Sequence, residues 1–287
     1  RTTDWTLKIT LTEGPRAKKL PAPSYAAPQL NDKPGWYRIA PHVHTVHSDG
    51  RLTPAEVIAL GKASGLDGIV STDHNTTSAL LHWGEVQDPE FLVINGVEVT
   101  YGQGHWNIFG LDPHAWIDFR IHHNDTLRYR KAVAKARKAG RLLVANHPYN
   151  LDFLYDVTPM DGIEVWNGRA DRKNPQANAM ACALAQRAAK PVTAGSDAHL
   201  PEEIGNGVVT LEADALTLPA VRAALLRGAT AVDGRRGKAR YVAESQLTKR
   251  RRTHAGAAAY VKWALFAAKC CLQDITWKGE TYHVLDR

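Results

Sequence analysis

The sequence predicts an α/β protein whose strands form a closed or nearly closed barrel. Hydrophobic strand segments alternate about seven times with helical segments, a pattern typical of parallel strands with helices packed outside them. The chain has 287 residues, of which 44% are hydrophobic, enough for one barrel-sized core or two smaller ones. Histidine and carboxylate residues also recur where the predicted strands end, as active-site residues do in parallel barrels.

The first 34 residues predict an extended N-terminal segment. Residues 5–11 alternate between apolar and polar side chains, the pattern of a half-exposed strand, and five prolines follow before residue 35. We therefore expect residues 1–34 to be a strand and a proline-rich linker, the remnant of an upstream element. Because the chain begins with Arg1 rather than methionine, we expect a processed or truncated N-terminus.

The segment 36–50 contains the strongest functional signal. Residues 36–40 are apolar and aromatic, as in a buried strand, and His42 and His44 follow with one residue between them. Residues two apart in a strand point to the same face, so both imidazoles can bind one metal ion. A Ser-Asp-Gly turn comes next, and it allows Asp49 to reach the same pocket.

Other predicted strands end in residues of the same chemical types. They are 66–71 before His74, 91–99 with Glu98, 141–145 before His147, and 191–194 before Asp197 and His199, while 105–110 and 162–166 are further predicted strands. The carboxyl ends of parallel strands meet at one face of a barrel, so these side chains are predicted to converge there.

Five helices are predicted between and after the strands. Their approximate ranges are 53–65, 125–138, 174–189, 219–227 and 255–272. The first has a capping box, in which Thr53 and Glu56 flank Pro54 at the first helical position. The last has Trp263 and Phe266 on one face, which predicts an amphipathic helix docked on the body of the protein.

Composition excludes some classes of protein and leaves the compartment open. No apolar run approaches the ~18 residues of a membrane span, so we expect a soluble chain, cytoplasmic or exported. The formal net charge is +7, and the basic run 249–252 is expected to be a solvated loop. A basic balance permits a nucleic-acid partner, but no motif supports one. The three cysteines do not form a disulfide framework, and the oligomeric state is not predicted.

Five short motifs extend the metal-site prediction. They are His42-x-His44 with Asp49-Gly50, Thr72-Asp73-His74, Gly96-Val97-Glu98, Asn146-His147-Pro148 and Gly195-Ser196-Asp197-x-His199. In these motifs and their order the chain resembles the PHP family, the polymerase and histidinol phosphatase superfamily, over roughly residues 36–235. The resemblance implies a distorted seven-stranded β/α barrel with up to three divalent metal ions. It implies a metal-dependent hydrolase domain at 35–240, followed by a basic segment and docked helix at 241–287.

The resemblance also assigns ligands to each ion. His42, His44, Glu98 and Asp197 would bind the first ion, Glu98, His105 and His147 the second, and Asp49, His74 and His199 the third. The implied cofactors are two to three ions of Zn, Mn or Fe. His47 is a local rival of Asp49, and the assignment of His105 depends on a spacing that varies between subgroups.

The predicted chemistry is hydrolysis by a hydroxide that bridges two ions. Water between ions ~3.5–4 Å apart has a pKa lowered towards neutral and becomes the nucleophile. We expect Asp197 to accept its proton, and Asp197 or His199 to assist the leaving group. Arg169 stands just past a predicted strand and could clamp a substrate anion, while Asp73 could orient His74.

Three functional hypotheses follow. The first is a phosphoesterase acting on a small phosphate ester, since three ions and a cationic rim suit a dianion. The second is an aryl carbamate or carboxyl ester hydrolase, because residues 101–107 are similar to a PHP subgroup that includes carbaryl hydrolases; Trp106 and Trp166 would then wall the pocket. The third is a non-catalytic metal-stabilised module, whose expected mark is missing ligands, and every motif residue is present here.

Overall fold

The computed structural model describes residues 30–101, 104–112, 126–150, 156–276 and 281–286, together with the single residues 8, 10, 14, 114, 115, 117 and 119. The strand predicted at residues 5–11 lies largely outside the described residues. Within the described part of the chain, one mixed sheet of ten strands is accompanied by seven α-helices.

The elements have the following bounds. The strands are β1 (Gly35–Val43), β2 (Gly68–Ser71), β3 (Leu92–Tyr101), β4 (Gly104–Phe109), β5 (Leu142–Asn146), β6 (Gly162–Asn167), β7 (Val192–Gly195), β8 (Gly207–Ala213), β9 (Ala231–Arg235) and β10 (Thr281–Asp286). The helices are α1 (Pro54–Ala63), α2 (Ala79–Trp83), α3 (Thr126–Lys138), α4 (Ala177–Ala188), α5 (Leu218–Arg227), α6 (Ala239–Arg252) and α7 (Ala257–Thr276).

Strands β1 to β7 follow one another around the sheet in chain order, and the chain after β7 returns to β1. There the Asp197 amide donates to the His42 carbonyl oxygen over 3.0 Å, and the His44 amide donates to the Ala198 carbonyl oxygen over 2.9 Å. These hydrogen bonds join the two ends of the seven-strand run at the rim where the carboxyl ends lie. The predicted α/β barrel, nearly closed, is therefore confirmed.

Two features of the sheet differ from the prediction. The sheet has ten strands instead of seven, because β8, β9 and β10 extend it from β1 by antiparallel pairing. In addition, β4 is antiparallel to both β3 and β5, whereas the alternation of elements predicts parallel strands throughout. Only two residues separate β3 from β4, and a parallel connection needs a crossover of about a dozen.

The barrel strands are covered on both faces, which explains their nearly continuous apolar sequences. Ile39, Ile69, Val97 and Ile163, from four different strands, have no exposed surface. Full burial of such a side chain stabilises the fold by about 1.5–3 kcal/mol before entropy is counted. This core holds the strand ends, and the polar residues on them, in a fixed arrangement.

The structure has all the predicted helices and two more, α2 and α6. The basic run 249–252, predicted to be a loop, forms the last turn of α6. This helix packs along α7, where Trp263 Nε1 donates to the Ala243 carbonyl oxygen over 2.7 Å and Phe266 packs against Ala239 and Ala243. Since α6 itself has only a narrow apolar face, its helical state depends on that tertiary packing.

The C-terminal helix docks mainly on α6 and only secondarily on the rest of the body, where Gln273 Nε2 donates to the Arg172 carbonyl oxygen over 2.8 Å. The domain boundary predicted between residues 240 and 241 falls inside the first turn of α6. In the described stretches, every helix is too short or too polar to cross a membrane.

Candidate metal centre

All nine residues predicted as metal ligands lie together at the carboxyl-end rim of the barrel. Their ligand-type atoms form four overlapping groups, and within each group the atoms lie within 4.8 Å of one another. The groups are His44, Asp49, His74 and His199; His42, His44 and Glu98; His42, His147 and Asp197; and His74, Glu98 and His105. Every member is buried or half-buried, so the cluster is an interior feature rather than a surface coincidence.

The strands explain most of this convergence. His42 is in β1 and His44 lies just beyond it, with their Nε2 atoms 3.1 Å apart, as the two-residue period predicts. His74 and His147 follow β2 and β5. Glu98 lies within β3 rather than at its end, because β3 continues past the rim to pair with β4.

His105 reaches the rim from the opposite direction. It is the second residue of β4, and because β4 is antiparallel to its neighbours, its amino end lies where their carboxyl ends lie. The rule that places ligands at carboxyl ends therefore does not account for this residue.

Glu98 is at the centre of the cluster, and each of its oxygens faces two or more imidazoles. Its Oε1 lies 3.0 Å from His105 Nδ1 and 3.2 Å from His147 Nε2. Its Oε2 lies 2.8 Å from His74 Nδ1 and 3.3 Å from His44 Nε2. A fully buried carboxylate with ligand nitrogens on both sides has the placement expected of a group that spans two ions.

Asp197 lies on the other side of this cluster, with strained backbone. Its Oδ1 lies 3.2 Å from His44 Nε2 and 3.6 Å from His199 Nδ1. The φ angles of Asp197 and His147 are +51° and +24°, in or beside the left-handed region. Such conformations cost about 1–3 kcal/mol each and persist where the surroundings impose them. Strain thus coincides with two of the candidate ligands.

Asp49, and not its rival His47, faces the centre. Asp49 Oδ1 lies 3.1 Å from His199 Nε2 and 3.6 Å from His74 Nε2. His47 turns away, with its Nδ1 3.0 Å from Ser78 Oγ. The loop after β1 therefore presents its carboxylate to the histidines of the third predicted ligand set.

The expectation that Asp73 orients His74 is wrong. The Asp73 carboxylate instead accepts hydrogen bonds from the Thr45 amide (2.8 Å), the Thr45 hydroxyl (2.7 Å) and the Ser48 hydroxyl (2.5 Å). His74 Nδ1 lies 2.7 Å from Thr100 Oγ1. Asp73 thus holds the loop after β1 in place. Its hydrogen-bond partners are distant in sequence, so they could not be predicted from its position next to His74.

Glu164 is a buried carboxylate behind the cluster that the motifs do not reveal. Its Oε1 accepts a hydrogen bond from His42 Nδ1 over 2.8 Å, and its Oε2 accepts from the His147 amide (2.7 Å) and Asn167 Nδ2 (3.0 Å). With Nδ1 protonated, His42 presents its unprotonated Nε2 to the centre. Gly195 makes room, since a Cβ there would lie 1.8 Å from Glu164 Oε1. A lone carboxylate inside an apolar strand is the available sequence signal.

Arg169 forms a buried ion pair with Glu203. Its Nε and Nη2 donate to the two carboxylate oxygens of Glu203 over 2.7 and 2.5 Å, its Nη1 donates to Ser245 Oγ over 3.2 Å, and its side chain is 9% exposed. The role of Arg169 in binding a substrate anion stays a prediction. The sequence does not reveal the ion pair with Glu203. The expected pocket walls, Trp106 and Trp166, are core residues with 0% and 3% exposure.

Neighbouring charges set the ionisation of the cluster. Burial raises the pKa of Glu98, but the imidazoles around it, His74 foremost, outweigh burial and hold that pKa well below its usual range. Burial, together with the nearby His199 and His74, lowers the pKa of His44 to about 3. Glu98 therefore stays ionised and His44 stays neutral near pH 7, which are the forms in which these two groups bind metal ions. His74 differs: burial lowers the pKa of its imidazole, but Glu98 and the other nearby carboxylates raise it to about 9, so this imidazole must release a proton to bind an ion.

Two buried oxygens test whether this cluster suits divalent ions. Glu98 Oε2 and Asp49 Oδ1 accept no hydrogen bond from the residues that the structure describes, although imidazole nitrogens lie 2.8 to 3.4 Å away. A buried anionic oxygen without a partner is costly, and a cation between these groups removes that cost. Imidazoles with carboxylates are a ligand set for Zn, Mn or Fe. The residues present fit such ions.

Comparison with known proteins finds one family model and solved structures with a similar fold. The PHP-associated family model matches residues 175–230. The chain is similar to a two-domain protein from Bacteroides vulgatus containing a predicted PHP-like metal-dependent phosphoesterase, with a TM-score of 0.55, 21% identity and coverage of 75% of this chain and 69% of that chain. It is also similar to a lesion-specific endonuclease from Pyrococcus furiosus, with a TM-score of 0.50, 14% identity and coverage of 69% and 58%. No curated protein sequence matches the chain.

Fold and site together define a barrel protein with a histidine- and carboxylate-rich cluster at one rim. The family-model match over residues 175–230 and the similar fold agree with the five motifs, which resemble those of the PHP superfamily in their order. At these identities the structural likeness concerns the fold, and the reaction must be argued from the site itself.

Proposed function

We propose that the protein is a metal-dependent hydrolase, and specifically a phosphoesterase acting on a small phosphate ester. The observation that carries this proposal is the set of four overlapping ligand groups around the buried Glu98. Such a set exceeds what one structural ion requires, because a structural site is satisfied by about four ligands.

Different ligand groups would bind different ions. Glu98 would serve two ions at once, with His105 and His147 on one side and His42 and His44 on the other. Two to three ions of Zn, Mn or Fe are proposed, and when bound they would acidify a water molecule and polarise a phosphoryl oxygen.

The protein's own groups would handle protons and orientation. Asp197 is proposed to accept the proton of the attacking water: burial raises the pKa of its carboxyl, but the imidazoles around it, His42 foremost, hold that pKa well below its usual range and keep the group ionised. His199 is proposed to assist the leaving group. Its Nδ1 donates to the Asp197 carbonyl oxygen over 2.9 Å, so its Nε2 is the nitrogen available at the site.

A phosphate ester is favoured over a neutral ester by charge. A phosphomonoester carries a second negative charge, which needs more neutralisation than a single bridging site supplies. The group of His44, Asp49, His74 and His199 is a further place for a cation beside the first two. An aryl carbamate hydrolase remains the alternative to be tested against it.

One experiment distinguishes the phosphoesterase hypothesis from the carbamate hydrolase hypothesis. Metal content is measured by elemental analysis, and p-nitrophenyl phosphate, bis-p-nitrophenyl phosphate and 1-naphthyl methylcarbamate are assayed side by side with Mn and Zn. We expect bound ions, phosphoester hydrolysis lost on chelation, and competitive inhibition by inorganic phosphate. Asp197→Asn should abolish activity, whereas Asp214→Asn, an exposed control, should not.

Two outcomes would count against the proposal. A chain that binds no ion even after reconstitution would refute metal dependence altogether. Rapid carbamate hydrolysis without inhibition by phosphate would instead favour the carbamate or carboxyl ester hydrolase.

A further inference from the structure

Helix α6 lies beside the metal centre and is held there by hydrogen bonds at two places. In its middle, Ser245 Oγ accepts a hydrogen bond from the buried guanidinium of Arg169 over 3.2 Å. In its last turn, Arg252 donates to the carbonyl oxygens of the two residues that flank Asp49, over 2.8 and 3.1 Å. The basic end of α6 therefore lies against the loop that carries a candidate ligand.

The same turn places another cation beside that ligand. Lys249 Nζ lies 3.7 Å from Asp49 Oδ2, which is longer than a hydrogen bond of about 2.7–3.2 Å. Asp49 Oδ1 points the opposite way, towards His199 Nε2 at 3.1 Å. One carboxylate thus separates the Lys249 ammonium from the histidines of the metal centre.

Lys249 is exposed, whereas Arg169 is buried in an ion pair. The Arg169 guanidinium is 9% exposed and bidentate to Glu203. The Lys249 side chain is 55% exposed, and its ammonium donates no hydrogen bond to any of the residues that the structure describes. An exposed ammonium has three N–H donors on a flexible stem and exchanges water for a substrate oxygen at little cost.

We propose that Lys249 is a substrate-binding residue that contacts an anionic oxygen of the ester at the Asp49 side of the metal centre. This inference rests on the proposed phosphoesterase function and narrows it to esters that carry negative charge beside the reacting centre. Since α6 lies outside the β/α repeats, an element added to the barrel would then strengthen the preference for an anionic ester that the third ligand group provides.

The test compares Lys249→Met, which removes the charge but keeps the stem, with Lys249→Arg and with Lys262→Met on the exposed face of α7. Binding of inorganic phosphate to the Mn-loaded protein is measured by calorimetry. We expect Lys249→Met to weaken phosphate binding by about tenfold, since the variant loses a charge-assisted hydrogen bond to a phosphate oxygen. Its KM for p-nitrophenyl phosphate should rise similarly with kcat near wild type. Lys249→Arg should retain most of the affinity, and Lys262→Met all of it.

Several results would overturn the inference. One is equal phosphate affinity in wild type and Lys249→Met, and another is a wild type that binds no phosphate. Loss of an ion from Lys249→Met in elemental analysis would show that the residue acts through Asp49 instead. Failure of the proposed function looks different, because the wild type would then bind phosphate through Lys249 and yet hydrolyse no phosphate ester.

Discussion

Replacing Glu164 by Gln should weaken the metal centre although this residue is not a predicted ligand. The carboxylate accepts three hydrogen bonds, from His42 Nδ1, the His147 amide and Asn167 Nδ2. A glutamine amide has the same shape but only one accepting atom. Whichever way it is turned, at least one of its contacts becomes donor against donor.

The two orientations of the amide have different consequences. If its oxygen serves His147 and Asn167, its NH2 faces His42 Nδ1, and the imidazole must then carry its proton on Nε2. That nitrogen faces Glu98 Oε2 at 3.4 Å, so a protonated Nε2 can no longer bind an ion there. If the amide is reversed, His42 keeps its tautomer but two buried donors lose their acceptor.

The magnitude follows from these contacts. Loss of one buried, charge-assisted hydrogen bond costs about 1.5–3 kcal/mol, and loss of a partner that orients a ligand lowers metal affinity about 10–100-fold. In a domain of this size, each kcal/mol shifts the midpoint of thermal unfolding by about 2–4 °C, so a decrease of several degrees is expected. The decrease should be larger with metal than after chelation, because the metal-loaded protein requires the correct tautomer.

The assay combines calorimetric titration of the metal-free protein with Mn or Zn and thermal unfolding with and without metal. Glu212→Gln is the matched control, since its side chain is exposed on β8. Glu164→Gln with wild-type metal affinity and an unchanged unfolding midpoint would show that Glu164 does not orient His42.

Three further perturbations test the centre. Glu98→Gln should lose at least one ion and most activity, because a neutral amide cannot serve two cations; elemental analysis showing full metal content with wild-type turnover would refute this. Gly195→Ala should lower the unfolding midpoint and metal content together, since the new Cβ would lie 1.8 Å from Glu164 Oε1; an unchanged melting curve would count against the packing described. His199→Ala should reduce kcat/KM for a phosphomonoester far more than for a neutral aryl ester, and equal losses on both would contradict its assignment to charge neutralisation.

The local pattern of apolar and polar residues determines much of the fold and of the candidate site. Strand period places His42 and His44 on one face, and the apolar runs that end in polar residues predict a shared rim for His74 and Asp197. The capping box of α1 was equally readable, because it depends on residues only three apart. These features need nothing beyond neighbouring residues and the rule that parallel strands share a direction.

Only the tertiary structure decided the remaining features, because they depend on contacts between distant residues. The direction of β4, and with it the place of His105, depends on how β3 and β5 pair. Glu164 reaches His42 across 122 positions of sequence, and the guanidinium of Arg169 is bound by a carboxylate from another segment. The basic run 249–252 by itself predicts a solvated loop, whereas packing of α6 against α7 makes it a helical turn that places Lys249 Nζ 3.7 Å from Asp49 Oδ2. Local sequence patterns do not determine such long-range packing, because each segment's own sequence is compatible with many different packing partners.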